Sequence, residues 1–107
     1  MELWVGLVEL RANPDCKDSR RFGDGKGAFV WVAAWADSQI TFETKVTVMS
    51  EGLDCIMYGF ENVGLMEDTM ETEGYPDEFI NLRATAIRQP LDTVFGPFHI
   101  WSQEDRN

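Results

Sequence analysis

Residues 37–53 read DSQITFETKVTVMSEGL, and whether they coil or extend decides the architecture. Ile40, Phe42, Val46 and Val48 alternate with Thr41, Glu43, Lys45 and Thr47, a period-two pattern rich in β-branched residues that suits a strand. The same stretch places Phe42, Val46, Met49 and Leu53 at helical spacing. Asp37 or Ser38 stands where an N-cap belongs, and Gly52 where a C-terminal glycine belongs. The ending Ser50-Glu51-Gly52-Leu53-Asp54 resembles a helix handing over to a strand, and on that ground residues 37–53 are assigned to a helix.

Immediately upstream, Ala28 to Ala36 is the clearest strand. Phe29, Trp31, Ala33 and Trp35 fall on one face, and Ala28, Val30, Val32, Ala34 and Ala36 on the other. The second face is small and aliphatic, as expected beneath close-packed helices; the first is largely aromatic. Glu2 to Ala12 reads as another strand, with Leu3, Val5 and Leu7 on one side and Trp4, Gly6 and Val8 on the other. Both sides are apolar, which requires cover on both. Between the two strands, Asn13 to Gly27 carries Asn13-Pro14-Asp15 and Gly23-Asp24-Gly25-Lys26-Gly27, the punctuation of a loop.

Downstream, Asp54 to Val63 alternates as a strand, and Gly64 to Gly74 is acidic and irregular. Pro76 to Gln89 reads as a second helix. Pro76 suits its first turn, Asp77 and Glu78 suit its positive end, and Pro90 stops it. Phe79, Leu82, Ala86 and Ile87 form its apolar face. Thr93 to Ser102 is a last strand, interrupted at Gly96-Pro97, and Gln103 to Asn107 is a polar, frayed tail. The expected fold is an α+β two-layer sandwich over one domain, residues 1–107. Its order is β-β-α-β-α-β, with about four strands and two helices on one face, similar in architecture to ferredoxin-like sheets. That similarity carries no function.

The chain has 107 residues and a net charge of -10, from 19 acids against 9 bases. Such a balance argues against nucleic acid, whose phosphates need clustered Lys and Arg, and against anionic membrane surfaces. It favours cationic partners. The longest apolar run, Ala28 to Ala36, is too short to span a bilayer, and Glu2 stands where a secretory signal has a basic residue. A cytoplasmic protein is expected. Cys16 and Cys55 lack Cys-x-x-Cys spacing and are read as free thiols. No cofactor or metal is implied.

Few residues offer catalysis. His99 is the single histidine, and no Gly-x-Ser-x-Gly elbow precedes a helix. Residues Gly23 to Gly27 fail the phosphate-loop signature, because Gly27 replaces the hydroxyl residue and a strand follows; they read as a solvated hairpin loop, with an anion-binding nest with Arg20 and Arg21 as the lesser alternative. From Val46 to Leu82 there is no Lys or Arg, and nine acids accumulate. The spacing of Glu67, Asp68, Glu71 and Glu73 does not match a calcium loop.

The aromatic strand face is the most informative feature. Phe29, Trp31 and Trp35 line it, and Trp4, His99 and Trp101 join if the registers agree. So large an apolar patch must be covered, by the chain's own loops, by a second copy, or by a ligand. The expected function is a non-catalytic binding module, homodimeric through this face, which also lines a pocket for an apolar or cationic small ligand. One alternative is an acidic inhibitor or immunity-type protein for a basic partner. Another is a small cofactor-independent enzyme using His99 as base, assisted by Tyr58 or Glu9.

Overall fold

Of the 107 residues, the computed structural model describes 1–12, 27–52 and 55–101. The loop and tail readings at 13–26 and 102–107, including the proposed nest of Arg20 and Arg21, lie outside these. The described elements run β1 (Glu2–Ala12), β2 (Gly27–Ala36), α1 (Gln39–Gly52), β3 (Cys55–Leu65), α2 (Met66–Glu73), α3 (Asp77–Arg88), β4 (Val94–Phe95) and β5 (His99–Trp101). Among the described residues no helix is long and apolar enough to cross a membrane.

β1 and β2 pair antiparallel from Glu2↔Ala36 to Arg11↔Gly27. β3 joins the free side of β1. β4 pairs with Val32 and Ala33, and β5 with Gly27 to Phe29, so the two short strands share the far edge of β2. The sheet order is therefore β3-β1-β2-β4, with β5 beside β4 on β2. β2 and β3, both antiparallel to β1, run parallel to each other, and α1 is the crossover between them over β1. Opposite Gly6, the register between β1 and β3 shifts, and Asn62 there takes φ 54. Asn tolerates this left-handed conformation because its short polar side chain bonds locally.

Residues 37–53 do form the expected helix over Gln39–Gly52. Ser38 caps it: the Thr41 amide donates to its Oγ at 3.2 Å and the Phe42 amide to its carbonyl at 3.0 Å. Phe42, Val46 and Ser50, one turn apart, are the buried face. Three hydroxyls of the stretch turn back on the helix. Thr44, Thr47 and Ser50 donate to the carbonyls of Ile40, Glu43 and Val46 at 2.9, 2.8 and 2.9 Å. Buried Ser50 is thereby satisfied.

The α+β class stands, with an antiparallel sheet and three helices. The arrangement differs from two helices on one face. α1 packs Phe42 and Val46 onto Val8, Leu10 and the small face of β2. α2 and α3 pack Met66, Met70, Phe79, Leu82 and Ala86 onto Val5 and Ala33 on the opposite side. The result is three layers, helix on sheet on helices, because β1 and β2 are apolar on both faces and each face needs its own cover. The additional helix, α2, lies where the acidic stretch reads as irregular. Met66 and Met70 are buried one turn apart, and Gly74 at φ 80 ends it, its amide donating to the Met70 carbonyl. That left-handed cap is the conformation glycine adopts without a Cβ penalty.

Candidate functional site

The candidate residues divide between the two sheet faces. Phe29, Trp31 and Trp35 share the α3 side of β2, and His99 joins them by register opposite Phe29. Trp101 pairs with Gly27 through its backbone, and its side chain lies outside the described ones. Trp4 does not join. It pairs with Ala34 and packs with the α1 cluster, because even-numbered β2 residues face that layer.

Part of the aromatic face is covered by α3. Trp31 meets Phe79 of α3 edge to face, with centroids 4.7 Å apart. The Trp35 indole Nε1 donates to the Ala86 carbonyl at 3.0 Å. α3 takes the position over Trp31 and Trp35. What distinguishes Trp35 is that its ring has cover on one side and a cavity on the other.

That cavity, of ≈ 340 Å³, opens where α2 and α3 meet the ends of β1, β2 and β3. Leu3, Trp35, Leu65, Met66 and Ile87 form its apolar walls, and Glu2, Glu67 and Arg83 its polar rim. Its volume falls at the low end of small-ligand sites. Met66 is fully buried as the first residue of α2, and Leu65 ends the strand before it, so the strand-to-helix junction builds one wall. The rim is partly neutralised: Arg83 Nη1 lies 3.2 Å from Glu67 Oε1 and 3.9 Å from Met70 Sδ.

A second hollow, ≈ 410 Å³, lies between α3 and β4. Glu78, Asn81, Thr85, Leu82, Val94 and Phe95 line it, with the Gly96-Pro97 turn. The Gly96 amide donates to the Trp31 carbonyl at 2.8 Å, and a Cβ on Gly96 would stand 3.2 Å from that oxygen. His99 Nε2 lies 3.0 Å from Glu78 Oε1, with the imidazole 56% exposed. Neither Tyr58 nor Glu9 assists it. Tyr58 sits under the Arg11 guanidinium, 3.8 Å from its ring centroid, on β3. Glu9 is bonded to Arg11 and lies two strands from His99, with Phe29 between them. This hollow has a half-polar lining without tryptophan, whereas the Trp35 cavity is mostly apolar.

Among the described residues no group of three His, Cys, Asp or Glu side chains is placed to hold a metal ion. Of the sequence candidates, Trp35 alone lines the apolar cavity. Leu3, Leu65, Met66 and Ile87 were missed as site residues, and their signal was present only as core-type hydrophobicity spread over separate elements. Comparison of the chain with family models, curated proteins and solved structures returns no match.

Proposed function

We propose that this chain is a non-catalytic binding module whose site is the Trp35 cavity, taking a small apolar or cationic molecule. The observation that carries the reading is a cavity of ≈ 340 Å³ with aliphatic and indole walls, between α2, α3 and the ends of β1, β2 and β3. The indole bond to Ala86 fixes one wall before any ligand arrives, and a preformed wall lowers the ordering cost of binding.

The test is an amide and indole NMR titration with short neutral alkanols. Binding shifts the Trp35 indole N–H together with Leu3, Leu65, Met66 and Ile87, and Trp35→Ala abolishes the response. Shifts scattered over the surface, or centred on the hollow beside Glu78, would overturn it.

A second reading is favoured by α2, which presents Glu67, Asp68, Glu71 and Glu73 to solvent with no basic residue in its last turn. An acidic inhibitor of a basic protein would use this helix, with charge accelerating the encounter. Its binding would weaken steeply with salt, and reversing Glu71 and Glu73 to Lys would abolish it.

A further inference from the structure

We propose that the ligand of the Trp35 cavity is an amphipathic cation, an alkylammonium with its chain against the indole and its head at the rim beside Glu2. The inference rests on the cavity being the binding site. It is carried by the charges around the mouth.

Three ionisable side chains line the cavity: Glu2, Glu67 and Arg83. Arg83 is committed, its guanidinium held by Glu67 Oε1 at 3.2 Å and by Met70 Sδ at 3.9 Å. Glu2 makes no ion pair among the described residues. The rim therefore carries one surplus carboxylate on top of an apolar interior. An anionic amphiphile would have to share Arg83 with Glu67 and place its head among two carboxylates. An ammonium head meets Glu2 with that bridge intact. The net charge of -10 draws cations toward the whole molecule.

Size points the same way. At the ~30 Å³ that a water-sized group occupies in a liquid, the cavity holds roughly ten heavy atoms. An eight-carbon chain fills it and leaves its head at the rim.

The experiment compares octylammonium, 1-octanol and octanoate, each below its self-association limit, by NMR titration of the intact chain at low and high salt. Octylammonium is expected to bind about three- to fivefold more tightly than octanol, the scale of one exposed ion pair, and octanoate more weakly than either. The cation's advantage should shrink in salt. Glu2→Gln should reduce octylammonium to the octanol value while leaving octanol unchanged. Equal affinities for octylammonium and octanol, with Trp35 responding to both, would overturn the head-group inference alone. So would tighter binding of octanoate. If none of the three perturbs Trp35, the site itself is wrong and both proposals fall.

Discussion

The indole N–H of Trp35 donates to the carbonyl of Ala86, 51 residues away, at 3.0 Å. Ala86 belongs to the last turn of α3, where carbonyls have lost their intrahelical donors. The donor four residues on would be position 90, which is Pro90 and has no N–H. The strand side chain supplies what the helix cannot. The backbone of Trp35 is tied to the other layer too, since Lys45 Nζ of α1 donates to its carbonyl at 2.6 Å. One residue of β2 thus fastens both helical layers to the sheet.

Replacing Trp35 with Phe keeps an aromatic wall and leaves the fully buried Ala86 with an unpaired carbonyl. The expected loss is about 2–3 kcal/mol, the penalty of an orphaned buried acceptor plus a small void. Urea denaturation followed by far-UV circular dichroism measures it. A loss below about 0.5 kcal/mol, less than an ordinary hydrogen bond contributes, would mean the bond is not made.

The same substitution on the opposite face should behave differently. The Trp4 Nε1 is buried and makes no hydrogen bond among the described residues. Trp4→Phe removes an unsatisfied donor at the same time as it removes volume, and these effects of about 1–3 kcal/mol oppose each other. Trp4→Phe is expected within about 1 kcal/mol of the parent chain, on that cancellation. In one denaturation series, a Trp4→Phe cost equal to that of Trp35→Phe would show that a partner of the Trp4 indole exists.

Trp31 sits edge to face on Phe79 and should behave as core. Trp31→Ala is expected to cost about 3–5 kcal/mol, as large aromatic truncations do, with the solution mass by light scattering unchanged from the parent. A fall in mass without that loss of stability would return this face to self-association.

Gly6 lies beneath the Phe42 ring of α1. A Cβ there would stand 3.0 Å from Val63 Cγ2 and 3.2 Å from Phe42 Cε2. Phe42 is fully buried and has nowhere to retreat. Gly6→Ala is expected to destabilise by about 1–2 kcal/mol through overpacking, net of the backbone entropy that Ala recovers. A gain in the midpoint of thermal unfolding would show that the ring can shift.

Much of this architecture can be read from individual residues. Ser38, Phe42 and Val46 are compatible with α1 and the ending at Gly52 decides for it, while Asp77, Glu78 and Pro90 bracket α3. The two-sided apolarity of β1 and β2 already demands two layers of cover, so the third layer follows from a reading of Leu3, Val5 and Val8 taken to its end. α2 escaped because it is short and its two buried residues, Met66 and Met70, are separated by carboxylates; Gly74 was the available stop signal. The site is less legible. Trp35 is recognisable as a wall residue, but Leu3, Leu65 and Ile87 become its companions only through the strand order and the placement of α3. Those are long-range contacts, and local spacing carries no record of them.

The two short strands at the edge of β2 have a consequence for the order in which the molecule is made. β1, β2, α1 and β3 are complete by residue 65, yet β2 acquires its second neighbour only when residues 94–101 arrive. Until then a ten-residue strand, apolar on both faces, presents an open edge, the kind that templates pairing with another chain. While the polypeptide is leaving the ribosome, the hazard lies in the strand that will become the most protected in the finished fold.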